Sequence, residues 1–334
     1  TPAQYVFSTG EVLKAWRRQA AARLVRSLLS LRLTCWNVGL ARVPRQRFLD
    51  PGFKPEIEWL PQQPGGRILA DPFPLPHDAQ SRWLAEEIDR TSGRGRIVEI
   101  RLNGRGGVEI EPVIEAEHNL SYPCVFEHEG RLYCLIGDET ARSARVYIRD
   151  AGRSKWRFHS VLIEGVAPTD ATIFTAYGYW WIMHSSMEGQ ALYLWHAPSP
   201  MGPWRPHPAN PVKIDIRSAR PAGTPFWHEG KLYRPAQDCG FTYGGAVVIN
   251  RIDCLSPAYF RETVVGRVEP DPGWPYPSGI HTLNGWGDCT LVDGKRYVWA
   301  PDVIVSRITR KLGRALSRRA AGAGLSPQES CNHG

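Results

Sequence analysis

Long apolar runs are missing from this chain: no stretch reaches the roughly 18 residues that a membrane-spanning helix needs. Also missing are a glycine-rich dinucleotide fingerprint, a phosphate-binding P-loop and any alternation of strand-like with helix-like segments, which removes the doubly wound nucleotide-binding folds. Cysteine is sparse and unpatterned. The seven, at 35, 124, 134, 239, 254, 289 and 331, are odd in number, lack CxxC spacing, and several sit inside apolar runs such as LYCLI around Cys134. Buried free thiols in a reducing compartment fit that usage better than a disulfide framework. His118, His128, His184, His196, His207 and His228 show no ligand spacing, so neither a metal nor a cofactor is expected. No secretory signal pattern stands at the start, and a cytoplasmic protein is the expectation.

The body also lacks a charge of one sign. The net charge is +8, but residues 1–33 and 305–334 each carry +5, leaving −2 for the middle. A polyanion-binding body, and specific nucleic-acid recognition with it, is not indicated. Residues 11–33 place Leu13, Trp16, Ala20, Leu24, Leu28 and Leu31 near one helical face, and Ile308, Leu312 and Leu316 recur at helical spacing within 305–320. Two basic helical tails are therefore expected, with the stretch after residue 320 disordered. They suit docking on the body or joining a neighbouring domain; weak contact with an anionic membrane surface is the alternative.

What the chain does have is 13 Trp, 32 Gly and 28 Pro, a composition of short strands and tight turns. FEHEGRLYCL begins at Phe126, FTAYGYWWIM at Phe174 and FWHEGKLYRP at Phe226, each an apolar strand, a glycine turn and an aromatic-rich strand. TLVDGKRYVW from Thr290 reads as a fourth copy, and DPFPLPHDAQSRWLAEE from Asp71 as a degenerate first. The turn glycines 130, 178, 230 and 294 recur at the period of four-stranded blades. The expected fold is all-β, a five-bladed β-propeller over 34–304 with short helical tails at 1–33 and 305–334; a β-sandwich is the competing architecture and does not ask for five similar hairpins.

Residues preceding each repeated Phe would face the axis: Asp71, Ser121-Tyr122-Pro123, Asp170, Arg220-Pro221, and His281 with Asn284. Carboxylates and bases converging from several blades make a funnel suited to a sugar. Asp71-Pro72, the run Asp170-Ala171-Thr172-Ile173-Phe174 and the segment 192–211 with Gly202-Pro203-Trp204 resemble the five-bladed propellers of glycoside hydrolase families 43, 32 and 68. WNVGL (36–40), ADPF (70–73), LSYPCVFEHEGRLY (120–133), DATIF (170–174), ARPAG (219–223), YRPAQDC (233–239) and HTLN (281–284) more closely resemble the N-terminal propeller region of plant glucosamine inositolphosphorylceramide transferases. Bacterial relatives carry that region beside glycosyltransferase or formyltransferase domains, so such a domain is an expected partner.

The resemblance implies Asp71 as a catalytic base and Asp170 as its companion carboxylate. It departs at the fourth blade, where the hydrolases hold an acid glutamate and this chain reads Ala219-Arg220-Pro221. The acid must come from elsewhere: Glu86 or Glu87, Glu139 and Asp238 are candidates, with Glu87 and Asp238 preferred. Tyr122, Glu139, Arg220, Gln237, His281 and Asn284 are read as substrate contacts, Arg220 suiting an anionic sugar. Singly, each residue has a plain structural explanation, such as Asp71 capping a turn. Two functions stay open: glycosidase-like or glycosyl-transferring chemistry on an anionic or amino-sugar glycan, or a non-catalytic module that positions such a glycan for a neighbouring enzyme. A protein-interaction propeller explains the axial charges less well.

Overall fold

The computed structural model describes residues 32–76, 82–90, 92–103, 107–150, 155–300, 303 and 309. At Glu129-Gly130, Tyr177-Gly178 and Glu229-Gly230 both turn residues have φ between 46° and 79°. That left-handed pair matches the strand twist of a two-residue hairpin, which is why glycine recurs at the second place. Each hairpin starts an antiparallel blade, five-stranded in the third and four-stranded in the others, and five blades make the propeller.

The first blade runs Ile68–Pro74, Arg82–Asp89, Arg94–Leu102 and Val108–Ile114; the second, Cys124–His128, Arg131–Asp138, Ser143–Arg149 and Trp156–Glu164. The third has Thr169–Ala176, Tyr179–Ser185 and Ala191–Ala197, edged by the short pieces Arg205–Pro206 and Lys213–Ile214. The fourth has Phe226–His228, Lys231–Asp238, Ala246–Leu255 and Phe260–Val268. The fifth closes the ring with strands from both ends of the sequence: Leu283–Trp286 and Cys289–Trp299, then Arg32–Ala41 and Glu58–Trp59. The expected helix over 11–33 is therefore corrected at its end: Arg32 and Leu33 are strand, since the β-branched and aromatic run that follows pairs with the last long strand. The rest of that helix, most of 305–320 and the expected disordered tail lie outside the described residues.

The fourth repeat also needs correction. Gly294 is not a turn; it lies inside Cys289–Trp299, and the hairpin turns at Gly287, with φ 55°. A Cβ on Gly294 would stand 2.3 Å from the Trp59 ring, so glycine serves close packing there. The Asp-Gly pair in LVDG imitates a turn, while the neighbouring Gly-Asp at 287–288 makes it.

Apolar side chains fill the spaces between adjacent blades. Cys124, Leu135, Val146, Ile173 and Ile182 are buried in one such core, each aliphatic among them contributing about 1.5–3 kcal/mol. Six described cysteines are free thiols, Cys35, Cys124 and Cys134 fully buried. Trp181 is buried and donates its indole N–H to the Ala176 carbonyl at 3.0 Å, a core role. Blades approach closest where glycine leaves room: a Cβ on Gly137 would fall 1.9 Å from the Pro168 carbonyl oxygen. Gly137→Ala must push two blades apart, and a urea melt should show it destabilised by about 1–3 kcal/mol.

The chain divides into two compact units, Cys35–Arg296 and a second made of Thr1–Thr34 with Tyr297–Gly334, against sequence boundaries of 34 and 304. In the second unit the Arg32 guanidinium lies over the Trp299 ring, 5.5 Å from its centroid. All that follows concerns the first unit.

Candidate functional site

Three blades share one backbone distortion on their innermost segments. Asp71, Tyr122 and Asp170 all adopt left-handed backbone, with φ 51°, 51° and 53°, and strand register slips between Ala70 and Phe73 and between Thr169 and Thr172. A non-glycine residue in that region costs roughly 1–3 kcal/mol, and its recurrence at one place in three blades points to side chains aimed deliberately at the axis. In the fourth blade Gly223, with φ 130°, stands nearest the same position; a Cβ there would strike the Leu283 carbonyl at 2.4 Å.

Cross-blade hydrogen bonds tie this level together. The Tyr122 hydroxyl bonds Thr172 Oγ1 at 3.1 Å and accepts the Gly223 N–H at 2.6 Å. Asn284 donates to the Pro72 carbonyl at 2.9 Å and accepts the Thr224 N–H at 2.9 Å. Both residues, expected as substrate contacts, are buried and spend their polar atoms on joining blades.

One ionic group is built around Asp170. Its Oδ2 accepts Arg220 Nε at 2.6 Å and Gln237 Nε2 at 2.7 Å, and its Oδ1 accepts Arg220 Nη2 at 3.3 Å. Arg220 thus has a carboxylate of its own and stacks on Tyr243, 4.7 Å from the ring centroid. The anion-binding role expected of it loses its free cation.

A second group surrounds Asp293, which is fully buried. Its Oδ1 accepts the backbone N–H of His281 and of Thr282, at 2.9 and 3.0 Å. Its Oδ2 accepts the Asp71 backbone N–H at 3.0 Å and faces His281 Nδ1 at 2.6 Å. Thr282 Oγ1 donates to Asp71 Oδ1 at 2.8 Å, and Trp36 stacks on His281 with centroids 3.8 Å apart. Burial works against an imidazolium here, but Asp293 and Asp71 outweigh it and hold the His281 pKa above its usual value. Burial likewise opposes ionised Asp293, and His281 reverses it, keeping that carboxyl below its usual range.

Asp71, His281 and Asp293 each present an atom within 4.8 Å of the others, a grouping that resembles a cation site. Asp293, however, already accepts four N–H groups, about the full capacity of a carboxylate. The arrangement is a hydrogen-bonded anion that positions Asp71 and His281, not a coordination shell.

The carboxyl that joins Asp71 is Glu86. It pairs in register with Ala70, its side chain is hydrogen-bonded to Asp71, and Gly95 clears its space, since a Cβ there would meet Glu86 Oε1 at 2.6 Å. Burial drives Asp71 up to about 7, with His281 opposing and Asp170 and Asp293 reinforcing. Burial, then Asp71 and Asp170, push Glu86 well above the ordinary carboxyl range. Both carboxyls of the pair are thus shifted toward their protonated forms, Asp71 to about 7.

The other expected acids stand apart from this cluster, and strand alternation explains two of them. Glu87, one residue past Glu86, turns away to Arg96 Nη2 at 2.7 Å and Arg67 Nη1 at 3.5 Å. Asp238, next to Gln237, pairs with Arg267 and caps the Gly240 N–H at 2.8 Å. Glu139 is exposed on a turn and accepts, at 2.5 Å, the hydroxyl of Thr169, the residue before Asp170. Asp71, Asp170, Arg220, Gln237 and His281 are brought together; Glu86, the acid candidate passed over for Glu87, joins them, as do Thr282, Asp293, Trp36 and Tyr243, which were not singled out.

A family model described as glucosamine inositolphosphorylceramide transferase 1, N-terminal, matches residues 70–271. The glucosamine inositolphosphorylceramide transferase 1 of Oryza sativa subsp. japonica is 34% identical over 159 residues, 45% of this chain and 21% of that protein. Its counterpart from Arabidopsis thaliana is 33% identical over 159 residues, 45% and 20% of the two chains. The match spans about a fifth of the length of these curated relatives. Among solved structures, one from the GH130 family of mannoside phosphorylases superposes with a TM-score of 0.50 at 10% identity, covering 69% of this chain and 83% of that one. A family 117 glycoside hydrolase from Zobellia galactanivorans gives 0.49 at 12% identity, covering 80% and 92%. At these identities the structural likeness is one of fold.

Proposed function

The chain belongs to the glucosamine inositolphosphorylceramide transferase 1 N-terminal family, and from that premise we propose that its propeller is a carbohydrate-active domain with Asp71 as the proton-accepting group of its axial site. The observation that carries this reading is the Asp71–Glu86 carboxyl pair, Asp71 buried with its pKa raised to about 7 and half-buried Glu86 pushed upward by desolvation and by Asp71. A carboxylate so tuned can take a proton from a sugar hydroxyl or from water at neutral pH, and Glu86, shifted toward its protonated form, can return one. The closeness of the pair does not suit an inverting hydrolase, whose acid and base stand roughly 6.5–9.5 Å apart with water between them. Proton exchange at a hydroxyl suits it better.

The charge balance also selects the ligand. Asp71, Asp170 and Asp293 outnumber Arg220 and His281, and Arg220 is already paired. A hydroxyl-rich or amino sugar fits this lining better than an anionic one. A second reading, a glycan-positioning module for a larger enzyme, is favoured by one observation: Arg220, tied to Asp170, stands where the resembling hydrolases hold a glutamate.

The test is to follow binding and conversion of neutral glycosides, amino-sugar glycosides, uronides and nucleotide sugars. Glu86→Gln keeps a neutral hydrogen-bonding partner for Asp71 but has no acidic proton. Binding should survive while turnover falls by about 10²-fold. Turnover equal to wild type would make Glu86 structural and remove the proton couple.

A further inference from the structure

Two short loops border the Asp170–Arg220 pair. In the loop 186–190, a Cβ on Gly189 would stand 3.3 Å from Arg220 Cδ. In the loop 239–245, Tyr243 lies under the Arg220 guanidinium and meets His281 edge-on, with centroids 5.3 Å apart. The base of this second loop is pinned. Lys295 Nζ donates to Thr242 Oγ1 at 3.1 Å and to the Tyr243 carbonyl. Gly244, with φ 57°, lies so close to the floor that a Cβ would reach Trp36 Cη2 at 2.7 Å and His281 Cβ at 2.8 Å.

On this anchored loop Phe241 is 96% exposed, and on its neighbour Met187 is 60% exposed. A single exposed apolar residue is ordinary on a protein surface. What distinguishes Phe241 is its place: two residues from the tyrosine that touches both Arg220 and His281, on a backbone fixed to the floor of the polar cluster. A pyranose is amphipathic in the matching way, with hydroxyl edges for carboxylates and a C–H face for an aromatic ring.

We propose that Phe241 is the ring-stacking residue of the axial site, covering the C–H face of an uncharged or amino pyranose whose hydroxyls reach the axial carboxylates. This rests on the carbohydrate reading above and adds a substrate class to it: a six-membered ring with one flat C–H face.

The probes are methyl β-glycosides of glucose, glucosamine, N-acetylglucosamine, xylose and glucuronic acid, titrated into the whole chain with saturation transfer followed by NMR. Saturation should concentrate on the ring C–H protons of one face. Phe241→Ala should weaken the best-binding glycoside about five- to tenfold, and Phe241→Trp should restore it to within about twofold. Thermal stability should not change with either substitution, because the ring is exposed. Asp170→Asn serves as the independent control on the sugar site. If Asp170→Asn abolishes binding while Phe241→Ala binds like wild type, the site stands and the stacking role falls. If no glycoside binds the wild-type chain, both fall together.

Discussion

Replacing Asp71 with Asn should lower turnover by about 10²–10⁴-fold while leaving sugar binding intact. Asparagine keeps the size of the side chain and can still bond the Thr282 hydroxyl, 2.8 Å from Asp71 Oδ1 in the native chain. It cannot take a proton. The substitution also has a signature in stability that follows from the raised pKa of Asp71. The folded pKa of Asp71 is raised by burial to about 7, so the native state holds a proton that the unfolded chain gives up near pH 4. Its favourable contribution is complete below the unfolded value and is lost as pH rises through about 7. His281, also raised, acts in the same direction above neutrality. The Asp71 contribution to the wild-type melting temperature should therefore fall between about pH 4 and pH 7, and Asp71→Asn should remove that part of the pH dependence. Should wild type bind a glycan without converting it, and Asp71→Asn alter affinity alone, the positioning-module reading replaces the catalytic one.

How much of this was open to sequence reading depends on distance along the chain. The hairpins at Gly130, Gly178 and Gly230 are local events, written in the two turn residues themselves, so the blades were legible. Asp71 and Asp170 were legible because each precedes a repeated inner-strand Phe, and the backbone distortion that aims them recurs with that pattern. Glu86 and Glu87 could not be separated in the same way. A one-residue change of register exchanges the faces of a strand, and the first blade lacks the two-residue turn that would fix its register. Asp238 and Gln237 pose the same problem, and only the pairing of Gln237 with Val247 and of Asp238 with Ala246 resolves it. Asp293 was hidden twice: its Asp-Gly context imitates a turn, and its partners Asp71 and His281 come from opposite ends of the propeller. The paired state of Arg220 was invisible for a related reason, since an arginine in sequence shows its charge but not its counter-ion.

Asp293 is the position where the largest stability effect is expected, and Asp293→Asn isolates its cause. The carboxylate takes N–H groups on both oxygens: His281 and Thr282 on one, Asp71 and the His281 imidazole on the other. Asparagine can serve the first pair with its carbonyl oxygen. Its amide N–H₂ then faces the second pair, donor against donor, and the buried imidazolium loses its counter-charge. Breaking one side of a buried ion pair costs about 3–5 kcal/mol, because the remaining charge stays desolvated. Chemical denaturation at pH 6 should show a loss of that order. The loss should also depend on pH with a definite sign. Asp293 has a depressed folded pKa, so its contribution is present above the unfolded value near 4 and disappears as acid protonates it. His281 has a raised one, so its contribution is present below about 6.5 and disappears as the pH climbs through the folded value. The difference between wild type and variant should thus be widest between about pH 4 and pH 6.5 and narrow on either side. A difference that stays constant from pH 4 to pH 9 would mean that shape, and not the His281–Asp293 charge pair, carries the effect of the substitution. Because the same carboxylate holds the Asp71 backbone, the variant should also lose the left-handed geometry at Asp71, and glycan turnover should fall even at temperatures where the chain remains folded.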